Sequence, residues 1–255
     1  MNRSNYVIEI CCGSYPDAIQ AIQGGAGRIE LNSALALGGL TPSTATLRLV
    51  KDFAPFLSVI AMVRPRGAGF CYSEEEFLLM QAECTELLKH GADGIAFGFL
   101  NADSTIDTER TSKLTSLIKE AGKEAVFHRA FDCCRDPYSS VEQLISIGID
   151  RLLTSGQKKT AIEGLELIAQ LQNVYGSEIE LLAGSGVNAS NAPDILRKTG
   201  IRQIHSSCRY YRPDPTTKGN GVSYQIFSGE QETMYDAVSG ELVHQLVCAV
   251  SSKVN

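Results

Sequence analysis

Gly91-Ala92-Asp93-Gly94-Ile95 has a logic that recurs in Gly25-Ala26-Gly27-Arg28-Ile29, Gly148-Ile149-Asp150-Arg151-Leu152 and Gly200-Ile201-Arg202-Gln203-Ile204. Each time a glycine follows an amphipathic stretch, one apolar residue comes next, and an apolar run begins. A glycine in the left-handed conformation ends a helix and satisfies its last carbonyls, so each copy reads as a helix closing into a strand.

Working outward from these marks, short apolar runs alternate with longer stretches whose apolar residues recur every three or four positions. The runs predict strands over Tyr6–Cys11, Arg28–Leu31, Leu57–Val63, Gly94–Phe99, Ala125–His128, Arg151–Thr154, Ile179–Ala183 and Gln203–Ser206. Helices are expected over Ser14–Gln23, Pro42–Phe53, Glu74–Lys89, Asp107–Ala121, Pro137–Ile147, Thr160–Val174 and Ser190–Lys198. Pro42 and Pro137 suit a first helical turn, and Ser73 with Glu76 reads as a capping box. The marked strands are the second, fourth, sixth and eighth, so the repeat spans two βα units. This predicts an α/β chain closed into a (β/α)8 barrel, one domain over residues 1–255. An open doubly wound sheet also alternates strand and helix, but no Gly-x-Gly-x-x-Gly follows the first strand to support it. Beyond Cys208 the pattern changes. Residues Tyr210–Gly229 read as an irregular extension and Glu232–Ser251 as a helix.

Composition narrows the function classes. The net charge of −6, with no run of lysine and arginine, argues against nucleic acid or an anionic membrane surface as partner. Residues Met1–Tyr6 contain no apolar signal core, and no apolar run approaches the roughly 20 residues that span a bilayer. Eight cysteines without such a signal, and without a C-x-x-C pair, are expected to be reduced thiols in a cytoplasmic protein.

In a (β/α)8 barrel the chemistry sits at the C-terminal ends of the strands. Those ends carry Glu9 and Cys11, Glu30 and Asn32, Arg64 and Arg66, then His128, Arg129 and Asp132. Side chains alternate along a strand, so Glu9 shares a face with Cys11, and Val126 and His128 point inward together. Buried charges need partners, and Glu9 and Glu30 are expected to pair with Arg64 or Arg129. Such a set serves either as a network that fixes barrel register or as a catalytic group, with His128 as acid or base. The later strand ends offer an anion cradle from Ser155, Gly156, Gly184, Ser185, Gly186, His205 and Ser206, with Arg66 as a further cation. Six cysteines fall near strand ends. Thiolates at a barrel mouth suit Cu(I), and Cys11, inward with Glu9, is the candidate ligand.

The motifs Arg28-Ile29-Glu30-Leu31, Gly38-Gly39-Leu40-Thr41-Pro42-Ser43, Arg64-Pro65-Arg66-Gly67, Phe127-His128-Arg129-Ala130-Phe131-Asp132, Leu153-Thr154-Ser155-Gly156 and His205-Ser206-Ser207 together resemble the CutC family over nearly the whole chain. The resemblance implies a TIM-like barrel, a cytoplasmic protein that forms a homodimer or higher homo-oligomer, and a role in copper binding or tolerance. It also implies cysteine ligands at the ends of the first two strands. This chain keeps the first as Cys11 and has Asn32 at the second. Two readings therefore stand side by side. One is a copper-binding protein anchored on Cys11. The other is a barrel enzyme for a small anionic metabolite, phosphorylated or not, with His128 as acid or base, Glu9 or Glu30 as second carboxylate, and Arg64 and Arg129 as clamps.

Overall fold

The computed structural model describes residues 6–253, so the segment Met1–Asn5 read for a leader lies outside it. The barrel strands are β1 (Val7–Cys12), β2 (Arg28–Leu31), β3 (Ser58–Met62), β4 (Gly94–Phe97), β5 (Glu124–Phe127), β6 (Arg151–Thr154), β7 (Glu180–Ala183) and β8 (Gln203–Ser206). All pair in parallel with their sequence neighbours, and β1 pairs with β8 to close the barrel. The helices between them are α1 (Tyr15–Gln23), α2 (Thr44–Phe53), α3 (Glu74–Lys89), α4 (Thr108–Glu120), α5 (Pro137–Ile147), α6 (Leu165–Tyr175) and α7 (Ala192–Thr199). The marker glycines do what the repeat requires: Gly25, Gly91, Gly148 and Gly200 have φ of 94°, 97°, 92° and 75°. An L side chain is strained there, and glycine turns the chain from helix into strand without that cost.

Most boundaries follow local chemistry. Ser73 accepts from the Glu76 N–H while the Glu76 carboxylate accepts from Ser73 N–H, and α3 begins as the capping box predicts. Helix α2 starts two residues later than its proline suggested, because Ser43 accepts from Thr46 N–H at 3.1 Å and takes the N-cap. Helix α6 starts at Leu165 rather than Thr160. Gly164 lies so close to the strand-six loop that an added Cβ would stand 2.0 Å from the Ser155 carbonyl, so the chain must finish that turn before it can coil.

The C-terminal segment differs most from its sequence reading. Arg209–Pro213 (β9) pairs antiparallel with Met234–Val238 (β12), and Lys218–Gly219 (β10) pairs with Val222–Ser223 (β11). The helical run expected from Glu232 is therefore a strand first, and only Gly240–Lys253 (α8) is helix. A cross-strand partner overrides a weak local preference. The Val238 N–H donates to buried Asp17 at 2.8 Å, which ties the ribbon to α1.

The barrel interior is divided. Ile60, Met62, Ala96 and Val126 form a small apolar cluster on the β3–β5 side, separate from the main core between barrel and helices. The β8–β1–β2 side is polar instead, and buried Glu9, Arg28, Glu30, Gln203 and His205 come from those strands. No helix among the described residues is long and apolar enough to cross a membrane.

Candidate functional site

The polar half of the interior is built in two storeys by strand register. Glu9 on β1 lies level with Arg28 on β2, and Cys11 lies level with Glu30 one pleat nearer the mouth. On the other side, β8 sets His205 level with Glu9.

In the lower storey Arg28 donates from Nε to Glu9 Oε2 at 2.5 Å and from Nη2 to Gln203 Oε1 at 2.6 Å. Gln203 in turn donates to Glu180, which also accepts from Arg151 at 3.0 Å. Burial opposes ionisation of Glu9, but Arg28 and then His205 outweigh it and hold the carboxyl at about 2. The partner of Glu9 is thus Arg28, a residue the strand-end search passed over, rather than Arg64 or Arg129. This layer is a salt-bridged floor.

Above the floor, ligand atoms of Cys11, Glu30 and His205 all lie within 4.8 Å of one another. Asn32 Nδ2 stands 3.4 Å from Cys11 Sγ and donates to Glu30 Oε1 at 3.0 Å, so Asn32 touches the same group. His205 sets Nδ1 2.8 Å from Glu9 Oε1, which leaves Nε2 for the trio. A histidine ligand is commonly oriented by a carboxylate on its other nitrogen, and Glu9 provides one. The electrostatics favour positive charge here. Burial works against His205 protonation, yet Glu30, Cys11 and Glu9 raise its pKa well above the ordinary value. Burial pushes Glu30 up against the pull of His205, and pushes the Cys11 thiol to about 11.

The trio forms one wall of a cavity of about 450 Å³ at the barrel mouth. Arg64, Phe70, His128, Arg129, Ser185, Gly186 and Ser206 line it as well. His128 points inward, as the pleat predicted, and is 4% exposed. Its Nδ1 accepts from Ala130 N–H at 3.1 Å, so the proton of the neutral ring resides on Nε2. Burial first, then Arg64 and Arg129, lower its pKa to about 3. At neutral pH His128 is therefore a hydrogen-bond donor with no free lone pair to act as a base.

Asp132 faces the backbone. It accepts from Arg129 Nε at 2.7 Å, Thr154 Oγ1 at 2.6 Å, Ser155 N–H at 3.0 Å and Gln157 N–H at 3.2 Å, which fastens the loop after β6. Ser155 Oγ is committed to the same network, accepting from Arg129 at 2.8 Å. Arg64 donates to the Leu37, Gly39 and Ala68 carbonyls and so pins two loops. Arg66 turns away from the cavity, pairs with Glu76 and lies 4.9 Å from the Tyr72 ring centroid. Gly156 packs on Gly164, and Gly184 packs on Leu153 and His205, so both shape backbone rather than line the cavity. Arg209 and Phe70, which do line it, carried no strand-end signal, whereas Cys133, also in the lining, is one of the six cysteines read near strand ends.

The CutC family model matches residues 6–210. A family protein CutC from Treponema denticola is 48% identical over 220 residues, 86% of this chain and 88% of the relative. Another from Klebsiella pneumoniae is 40% identical over 248 residues, 96% of this chain and 98% of the relative. A crystal structure from Streptococcus agalactiae, described as a copper homeostasis protein CutC, aligns with a TM-score of 0.75 at 30% identity, over 79% of this chain and 98% of that one. A thiamine phosphate pyrophosphorylase from Pyrococcus furiosus aligns with a TM-score of 0.60 at 12% identity, which is a likeness of fold alone. The chain belongs to the CutC family.

Proposed function

We propose that the chain binds a copper ion, as Cu(I), through Cys11 and His205, with Glu30 beside them. The observation that carries this is the Cys11–Glu30–His205 trio, half-buried at Cys11 and buried at the other two, whose ligand atoms lie within 4.8 Å of one another. Cu(I) selects thiolate and imidazole donors. Taken alone, Cys11 is one soft ligand beside an amide; His205 supplies the second. Glu9 orients the imidazole and is itself held by Arg28, and the ion would displace the protons that His205 and the Cys11 thiol hold in its absence. All eight cysteines are free thiols, as a protein of the reducing cytoplasm would keep them.

Zn(II) also accepts a cysteine, histidine and carboxylate set, so the test is a competition. Reduced protein is titrated anaerobically with Cu(I), and with Zn(II) in parallel, against a chelator of known affinity. The proposal expects one tight Cu(I) per chain, lost in both Cys11→Ser and His205→Gln. Tight Zn(II) without tight Cu(I), or Cu(I) binding unchanged by both substitutions, would overturn it.

A further inference from the structure

Two buried N–H groups in the cavity lining have no acceptor among the described residues. His128 Nε2 is one. Because Nδ1 already accepts from Ala130, the unpartnered nitrogen is the one that carries hydrogen. Arg64 Nε is the other. The Arg64 guanidinium donates to the Leu37 carbonyl at 3.0 Å, the Gly39 carbonyl at 3.1 Å and the Ala68 carbonyl at 2.7 Å, and these acceptors are all neutral. No carboxylate pairs with Arg64 among the described residues, and it is only 5% exposed. A buried cation without a counter-ion is costly, and so is a buried donor left unmade.

The two groups belong together. The Phe70 ring lies 5.2 Å from Arg64 Cζ and 5.0 Å from the His128 ring, so one aromatic side chain packs against both. The carboxylates lining the cavity do not answer them. Asp132 is used by Arg129 and the loop after β6, and Glu30 belongs to the trio. Arg129 and Arg209 add positive charge to the cavity lining, with side chains 40% and 38% exposed.

We propose that the cavity takes a small organic anion, whose carboxylate or phosphate oxygens are received by Arg64 and by the Nε2–H of His128. The cavity of about 450 Å³ matches a metabolite rather than a macromolecule. His128 stays neutral beside Arg64, so it donates without adding a second buried cation. The proposal does not use the metal ion, and it stands or falls separately from copper binding.

The test is calorimetric titration of the full chain, first stripped of metal by a chelator, with pyruvate, malonate, glycerol 3-phosphate and inorganic phosphate. The expected result is one saturable site for at least one organic probe, with Kd below about 1 mM, weakened tenfold or more in His128→Phe. Pyruvate or malonate as the binder identifies a carboxylate site, and glycerol 3-phosphate a phosphate site. Should His128→Phe fold poorly, nitrogen-15 spectra of histidine-labelled wild type replace it, and the His128 Nε2–H signal must shift on saturation. Failure of every organic probe overturns the proposal. So does inorganic phosphate binding as well as the organic probes, or organic binding that leaves both His128→Phe affinity and the Nε2–H signal unmoved.

Discussion

Protonation of His128 is the most direct solution test of how this barrel mouth is arranged. Its folded pKa is about 3, against an ordinary value of 6.5, because burial and then Arg64 disfavour the imidazolium. In the unfolded chain the ring takes up a proton as pH falls through 6.5. In the folded chain it does not until about 3. Between those limits the unfolded state binds more protons, so stability falls as pH falls. The loss from this one residue is about 2 kcal/mol between pH 6.5 and 5, since each unit is worth about 1.4 kcal/mol once the unfolded ring is mostly protonated. For a chain of this size that is roughly 4–8 °C in Tm. His128→Phe keeps a ring in the site but removes the titration. It also removes the acceptor for Ala130 N–H, at a pH-independent cost of about 1 kcal/mol. Tm is measured by circular dichroism from pH 7 to 5 for both proteins. The wild type is expected to lose stability more steeply, and the variant to start lower and fall less. Parallel curves would refute the neutral, buried His128 and the donor role built on it.

Other positions give separable outcomes. Asp132→Ala strands the Ser155 and Gln157 N–H groups and the Thr154 hydroxyl, and is expected to cost about 3–5 kcal/mol in urea denaturation. Arg129→Ala, whose side chain is 40% exposed, should cost less than about 1 kcal/mol in the same assay. Gly98→Ala places a Cβ 2.7 Å from His128 Nδ1 and 2.8 Å from Ala130 Cβ, so a loss of about 1–3 kcal/mol is expected, again by urea. Glu9→Gln leaves Cys11, Glu30 and His205 in place but weakens the hold on His205 Nδ1. Cu(I) affinity should fall roughly 10–100-fold while stoichiometry stays at one, read by chelator competition.

The fold was legible because its signals are local. A left-handed glycine at the end of a helix needs only its own backbone, and Gly25, Gly91, Gly148 and Gly200 all adopt that conformation. The inward direction of His128 was legible for the same reason, since the pleat is a period of two. What could not be read was the pairing inside the barrel. Glu9 and His205 are 196 residues apart and meet only when β8 closes on β1. Arg28 was missed because attention to strand C-termini passes over a strand's first residue, although alternation already puts it on the face of Glu30. Arg64, Arg129 and Asp132 have the chemistry of a catalytic set, yet Arg64 and Asp132 spend their hydrogen bonds on neighbouring loops. Residue type does not reveal whether a loop carbonyl or N–H stands nearby. The ribbon of β9 and β12 was hidden for a similar reason, because each strand is specified by the other.

Copper held jointly by Cys11 and His205 is the proposal on which the function rests. X-ray absorption at the copper edge of the reduced, Cu(I)-loaded full chain tests it most directly. A coordination shell with one sulfur and at least one imidazole nitrogen is expected, with loss of the imidazole scattering in His205→Gln. A shell of two or more sulfurs without imidazole, or one without sulfur, would contradict it.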